Sequence, residues 1–319
     1  MKLAYFNDFQ VGVVVGDRFV DVTPLLSDIP ARDRQDLMPG LIARWEEYRP
    51  KLEAAAKGAG IPLAEVKLRA PLPRPRQIDC MAVNYMEDGT LPEPAAINAF
   101  HKSPSAIIGP GETMILDDIP ATVFEGEAEL ALIIGKRASH VKAADAMSYI
   151  FGYTNFIDGS ARGLLPEGNT FYQVKSRDTF APIGPWIVTA DEIADPQKLR
   201  VRLWVNGEIK QDFNTDDMAH KIPRCVEFVS SIHALEPGDI LATGTNHRGL
   251  NAFHGGDVVE LEVEGLGRLT VNVRDDLKRT WSRDTRLQGA EKMRAAGGTP
   301  PRTGVLAKQL TGKYAPKSG

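Results

Sequence analysis

The sequence predicts a mainly β protein with some α-helix: a small N-terminal β-rich domain followed by a large domain of rolled or barrel-like sheets. Three observations support this. Short apolar runs recur through the second part of the chain, separated by Gly, Pro and Asn-Gly turn signals. Two helical patterns interrupt those runs, too few for a doubly wound α/β arrangement. A proline cluster, Pro71-Leu-Pro-Arg-Pro-Arg76, divides the two parts and reads as a stiff linker, because proline cannot sit in a regular ladder. The expected organisation is a small α+β domain over 1–70, a linker over 71–77, a catalytic β-roll over 78–280 and a polar tail over 281–319.

In chain order, the first strands are expected at Lys2–Phe6, Val11–Val15 and Arg18–Asp21, with Gly16-Asp17 as a hairpin turn. Leu41, Trp45, Tyr48 and Leu52 follow at helical spacing, and that helix runs out at Gly58-Ala-Gly60. Beyond the linker, strands are expected at Gln77–Val83, Ala106–Gly109, Glu129–Ile134, Trp186–Thr189, Val201–Val205, Asp239–Thr243, Val258–Val263 and Leu269–Val273. The two helices are expected near Lys142–Phe151 and Ile222–His233. From about Arg283 the chain is polar and weakly periodic, and is expected to be mobile or to form an arm over a partner subunit.

Composition narrows the function classes. The 319 residues are 43% hydrophobic and 25% charged, with a formal net charge of -4. That balance offers no electrostatic case for binding nucleic acid or an acidic membrane. The two cysteines, Cys80 and Cys225, are too few for a disulfide framework or a zinc site and read as packing residues. No run approaches the roughly 20 apolar residues of a membrane span. The N-terminal residues lack the apolar stretch of a signal peptide, so the expected setting is the reduced cytoplasm.

The chemistry begins at Phe124-Glu-Gly-Glu-Ala-Glu-Leu130, where acidic residues alternate into an apolar run. In a strand, residues two apart share a face, so Glu127 and Glu129 project together, with Glu125 one pleat back as a flanking residue. Adjacent, partly buried carboxylates repel and need compensation. A divalent cation with a taste for oxygen, Mg²⁺ or Mn²⁺ with Ca²⁺ as a further option, supplies it. Alternation alone leaves a solvated strand edge as the other reading.

Other segments decide between the two. Tyr153–Asp158 alternates as a strand ending at Asp158, a third carboxylate that would complete an oxygen triad. Lys175 precedes a proline-bounded turn, where its ammonium could pair with Asp158 and contact a substrate carboxylate. Thr243-Gly-Thr245 is a glycine-centred turn through which backbone N–H groups can approach a ligand, and His247 just beyond it is a candidate acid/base.

Taken in order, these pieces resemble the fumarylacetoacetate hydrolase family from about Gln77 to Val273. The landmarks are Ser105-Ala-Ile-Ile-Gly-Pro-Gly111, Glu127-Ala-Glu-Leu-Ala-Leu-Ile-Ile-Gly-Lys136, Gly152-Tyr-Thr154 with Asp158 and Ser160-Ala-Arg162, and Lys175-Ser-Arg-Asp-Thr-Phe-Ala-Pro-Ile-Gly-Pro185. Val205-Asn-Gly-Glu208 with Gln211, Thr215 and Met218, and Pro237-Gly-Asp239 with Thr243-Gly-Thr245, match as well. The resemblance implies a mixed β-sandwich roll preceded by a small β-rich domain. It also implies a homodimer and a Mg²⁺ or Mn²⁺ ion on Glu127, Glu129 and Asp158. Lys175 matches the family's active-site lysine, Thr245 a threonine lining the substrate site, and Arg162 and Tyr85 are placed at the substrate.

The implied substrate is a small 2-oxo acid that chelates the cation through its carboxylate and C2 carbonyl, so that an enolate is stabilised. The expected activity is hydrolysis of a C–C bond in an acylpyruvate-like 2,4-dioxo acid, within aromatic catabolism. Decarboxylation, dehydration or isomerisation on the same site is the alternative, and a non-catalytic ligand-binding relative a further one. The chain departs from the family pattern at the water-activating dyad. Hydrolytic members carry Asn-Tyr-x-x-His-x-x-Glu, whereas here Asn84-Tyr-Met-Glu-Asp-Gly-Thr-Leu91 places Asp88 at the histidine position and Leu91 at the glutamate position. After Thr245 the usual proline is Asn246, and His247 follows. His247 is therefore expected to take over part of the base function, with Asp88 or Glu87 as its partner.

Overall fold

In the computed structural model, which describes residues 1–166, 171–300, 307 and 309–315, the chain opens as an antiparallel meander. Its strands are β1 (Lys2–Phe6), β2 (Gln10–Val15) and β3 (Arg18–Asp21). The β2–β3 hairpin turns at the expected place, with Val15 opposite Arg18 and Gly16 at φ +60°. The expected helix is two: α1 (Leu37–Ala43) and α2 (Trp45–Ala55), broken at Arg44 with φ −113° and ψ 29°. Leu41, Tyr48 and Leu52 are buried, as their spacing requires. Short strands β4 (Ile61–Pro62) and β5 (Leu68–Arg69) return along β3 and β1. Leu72 of the proline segment is fully buried in the same apolar cluster as Leu3, Tyr5 and Leu41.

Beyond it come β6 (Ile78–Met81), β7 (Ala99–Lys102), β8 (Ile107–Ile108) and β9 (Thr113–Ile115). Three long strands follow: β10 (Val123–Ile134), β11 (Ile150–Arg162) and β12 (Ala181–Thr189). Later strands are β13 (Arg200–Val205), β14 (Glu208–Asn214), β15 (Ile240–Ala242), β16 (Val258–Val263) and β17 (Arg268–Arg274). The large sheet runs β4-β3-β2-β1-β12-β11-β10-β15-β6-β7, so the N-terminal meander is continuous with it through β1 and β12. A second sheet, β14-β13-β16-β17-β9, packs against it. Leu130 and Leu132 of the first sheet share one apolar cluster with Leu203, Leu261 and Val271 of the second. Two sheets facing each other across a mixed set of pairings make the sandwich roll that was expected.

β10 is the axis of this arrangement and is buried at every position. Ala128, Leu130, Leu132 and Ile134 face the second sheet, while Ala131 and Ile133 face the cluster shared with the N-terminal region. Each fully buried Leu or Ile contributes about 1.5–3 kcal/mol of transfer free energy. The face that carries Ala131 and Ile133 also carries Glu125, Glu127 and Glu129, so one face changes from carboxylate to apolar along its length. Strong burial of the apolar half holds the acidic half in place.

Some elements differ from expectation. Lys142–Phe151 is not an α-helix: Ala143–Tyr149 is 3-10 helix, and Ile150 and Phe151 already belong to β11. The tertiary reason is a donor on β10's exit, since Gly135 N–H bonds the Tyr149 carbonyl at 2.8 Å and draws the chain into the sheet. The Ile222–His233 helix is present as α4 (Ile222–Ile232), after a one-turn helix α3 (Phe171–Lys175). In the tail, α5 (Arg286–Ala295) starts with a Thr285/Gln288 capping box, and β19 (Gln309–Thr311) pairs with β18 (Thr280–Trp281). Residues 167–170, 301–306, 308 and 316–319 lie outside the described residues. Among the described residues, no helix is long and apolar enough to cross a membrane.

Candidate active site

Glu127 on β10 and Asp158 on β11 are direct cross-strand partners, and Glu129 stands one pleat along from Glu127. One carboxylate oxygen from each lies within 4.8 Å of the others. Glu129 and Asp158 are fully buried and Glu127 nearly so. The alternating pattern thus converges the three side chains that the sequence singled out.

Cations from three directions compensate two of them. Lys175 Nζ donates to Glu127 Oε1 at 2.7 Å and to Asp158 Oδ2 at 2.5 Å. Lys102, at the end of β7, donates to Asp158 Oδ1 at 2.6 Å and also bonds the Lys175 carbonyl. Arg162 at the end of β11 contacts Glu127 and donates to Glu125 Oε2 at 3.1 Å. Burial pushes the Glu127 carboxyl up, but Lys175 and Arg162 outweigh it and hold the group well below the usual carboxylate range.

Glu129 is treated differently. Its Oε2 accepts the Gly244 N–H at 2.6 Å, whereas Oε1 is buried without a hydrogen-bond partner among the described residues. Burial, with the like charges of Asp158 and Glu127 beside it, raises this carboxyl well above its ordinary value. An orphaned carboxylate oxygen facing two further carboxylates is the donor set of a hard divalent cation. The residues present fit Mg²⁺ or Mn²⁺.

The Thr243–Thr245 turn supports that arrangement. Gly244 has φ +91°, and a Cβ there would meet Asn84 Cβ at 2.9 Å, so only glycine brings its N–H onto Glu129. Thr243 Oγ1 donates to the Leu130 carbonyl at 2.8 Å. Gln211 ties turn to strand: its Nε2 donates to Thr245 Oγ1 at 2.8 Å and its Oε1 accepts the Ala128 N–H at 3.0 Å. Tyr85 is fully buried against Phe213, and burial beside Glu129 raises its phenol well above the ordinary value.

Two loops meet beside the carboxylates. His247 Nδ1 lies 2.7 Å from Glu87 Oε1, and the His247 backbone N–H donates to Glu87 Oε2 at 2.9 Å. The imidazole is near enough to Glu127 to add to the lowering of that carboxyl. Asp88 turns elsewhere: its Oδ1 accepts from Asn246 Nδ2 at 3.0 Å and its Oδ2 from Arg248 Nη1 at 3.0 Å. Glu87 and Asp88 both have positive φ, 54° and 57°. Bonds from Met86 N–H to the Asp217 carbonyl and from Asp88 N–H to Asp217 Oδ2, both 2.9 Å, hold this strained turn.

Sequence reasoning missed Lys102 and the linkage beyond Arg162. Glu125, read as flanking, accepts from Arg162 and from Arg286 of α5, the latter at 2.5 Å. Burial raises the Glu125 carboxyl, but Arg286 and Arg162 bring it below its ordinary value. The one sequence signal for Lys102 was a lysine ending a short strand, on the face it shares with Phe100.

Comparison with known proteins agrees with this architecture. Residues 79–274 match the fumarylacetoacetate (FAA) hydrolase C-terminal family. The chain is 35% identical over 293 residues to a maleylpyruvate hydrolase of Aquipseudomonas alcaligenes, covering 86% of this chain and 99% of that one. It is 36% identical over 225 residues to a mitochondrial oxaloacetate tautomerase of Homo sapiens, covering 67% of this chain and 71% of the relative. Among solved structures, the maleylpyruvate hydrolase of Sphingobium sp. SYK-6 in complex with manganese(II) and pyruvate superimposes with a TM-score of 0.78. It has 37% identity, covering 86% of this chain and 99% of that one. Two packed sheets, three converging carboxylates and a match over most of the large domain agree: the chain belongs to the fumarylacetoacetate hydrolase family.

Proposed function

We propose that this protein is a divalent-metal-dependent hydrolase that cleaves a C–C bond of an acylpyruvate-type 2,4-dioxo acid, with maleylpyruvate as the first substrate to try. The observation that carries the reading is the Glu87–His247 pair, whose imidazole is near enough to Glu127 to add to the lowering of its carboxyl, together with the converging Glu127, Glu129 and Asp158. Glu127, Glu129 and Asp158 hold Mn²⁺ or Mg²⁺, and the manganese in the similar Sphingobium enzyme supports that assignment. A cation bound there supplies Lewis-acid stabilisation of the negative charge that develops on the 2-oxo group.

The chain's own residues do the rest. Lys175 and Arg162 orient the anionic substrate, and Thr245 and Tyr85 line its site. Glu87 engages His247 Nδ1, which leaves Nε2 as the nitrogen that takes a proton from water. The water oxygen forms a bond to the C4 carbonyl carbon, and the C3–C4 bond then breaks with its electron pair moving to C3. The proton held on His247 returns to C3, giving pyruvate and a carboxylic acid. Asp88, paired with Asn246 and Arg248, positions the His247 loop.

A tautomerase or isomerase reading uses the same carboxylates but needs no activated water. The relation to oxaloacetate tautomerases keeps it as the second reading. Product analysis by mass spectrometry in oxygen-18-labelled water separates the two. Hydrolysis yields pyruvate and an acid carrying one labelled oxygen, whereas conversion without cleavage of any acylpyruvate overturns it. We further propose a cytoplasmic homodimer acting in the breakdown of aromatic compounds. The family resemblance and the mixed, mildly acidic composition support this, and light scattering in solution tests the dimer.

A further inference from the structure

A second cluster of potential ligands lies on the opposite face of the β6–β7 pair from Phe100 and Lys102. Asp79 and His101 are cross-strand partners there, and His233 is the residue just after α4. His101 Nδ1 is 3.2 Å and His233 Nε2 3.0 Å from the same oxygen, Asp79 Oδ1. One carboxylate oxygen and one ring nitrogen from each histidine fit within 4.8 Å of one another. The two imidazole centroids are 5.2 Å apart, with the rings inclined at 37°.

Asp79 is only 2% exposed, and its other oxygen, Oδ2, is buried with no hydrogen-bond partner among the described residues. Two imidazoles converging on Oδ1 leave that second oxygen uncompensated, at a cost of a kind that native interiors avoid. Asp239, whose carboxylate accepts from the Gln77 and Glu236 N–H groups, stands near enough to Asp79 for the two to repel. The local field therefore favours a cation. The histidine side is open, since the His101 side chain is 60% exposed and that of His233 25%.

We propose that Asp79, His101 and His233 form a second divalent-cation site, distinct from the carboxylate centre and suited to a nitrogen-preferring ion such as Zn²⁺. Two imidazoles and one carboxylate select borderline ions, whereas the all-oxygen centre suits Mg²⁺ and Mn²⁺. Three protein ligands leave a coordination position for water or an external ligand. The ion clips the C-terminal end of α4 to the β6–β7 edge, one residue from Lys102, which in turn holds Asp158.

Protein saturated with Mn²⁺ is dialysed against Zn²⁺, and both metals are counted by mass spectrometry. The expected result is retention of Mn²⁺ with about one additional Zn²⁺ per chain, and a higher melting temperature. His101→Ala and His233→Ala should bind that Zn²⁺ roughly tenfold or more weakly while retaining Mn²⁺. His101 is the more exposed of the two, and retained Mn²⁺ reports an intact fold in either variant. No additional Zn²⁺ in the wild type, uptake that survives both substitutions, or uptake only in exchange for Mn²⁺ overturns the proposal.

Discussion

Glu87 and His247 stand 160 residues apart in the chain, yet both oxygens of one carboxylate serve the other residue. One oxygen orients the ring and the other holds the backbone N–H, so position and tautomer are set together. This pair places an acid and an imidazole beside the carboxylate centre without the His–Glu spacing that the resemblance leads one to look for.

If that pair moves the proton, His247→Ala loses turnover by about 10²–10⁴-fold while Mn²⁺ uptake is unchanged. Glu87→Gln keeps a hydrogen-bond partner for the ring and loses less. Steady-state kinetics alongside metal analysis checks both, and full turnover of His247→Ala would remove the pair from the mechanism.

Glu129→Gln replaces a buried carboxyl whose ionisation is opposed by burial and by two neighbouring carboxylates. Without added metal the variant should melt no lower than the wild type, because the Gly244 N–H still finds an oxygen acceptor. Mn²⁺ at about a hundred times its Kd stabilises the wild type by about 2.7 kcal/mol, and the variant should gain almost none of this. Thermal melts with and without Mn²⁺ read both effects, and equal gains would take Glu129 out of the ligand set.

Lys102 is buried between Asp158 and the Lys175 carbonyl. Replacing it by methionine keeps the volume and removes the charge. Breaking a buried pair from one side costs about 3–5 kcal/mol. Lys175 still serves Asp158, so the lower end is expected in urea unfolding. A loss below about 1 kcal/mol would show that Lys175 alone is sufficient.

Asp257 gives the pH dependence. Burial raises its carboxyl, but hydrogen bonds from His254, Arg283 and Asn206 more than offset that and hold it far below the ordinary value of 3.8. A depressed folded value means a contribution that is complete above the unfolded value and is lost as pH falls through the folded one. Asp257→Asn should be less stable than the wild type by about 1–3 kcal/mol at neutral pH. That gap should begin to close below about pH 4. A constant gap from pH 7 to pH 2 would exclude the ionised carboxylate as its source.

Much of the fold was legible because its signals are local. The β2–β3 hairpin, α4 and most of the large-domain strands follow from alternation, helical spacing and turn residues, which act over a few positions. Ala143–Tyr149 misled for the complementary reason, since its helical spacing yields to the Gly135–Tyr149 hydrogen bond and the pull of the sheet. α3 and α5 were not expected, as the one is a single turn and the other lacks a buried face.

By itself the sequence determined the carboxylate strand, because a period of two sends Glu127 and Glu129 to one face whatever surrounds them. Strand alternation and turn residues then singled out Asp158, Lys175 and the Thr243–Thr245 turn, and the resemblance attached roles to them. Only the tertiary structure decided what those groups touch. Lys102 reaches Asp158 across 56 residues, Arg286 reaches Glu125 across 161, and Glu87 rather than Asp88 takes His247. Neighbours in sequence such as Glu87 and Asp88 offer the same chemistry. What separates them is the strained turn, held from afar by Asp217, that aims one carboxylate at the imidazole and the other at Asn246 and Arg248.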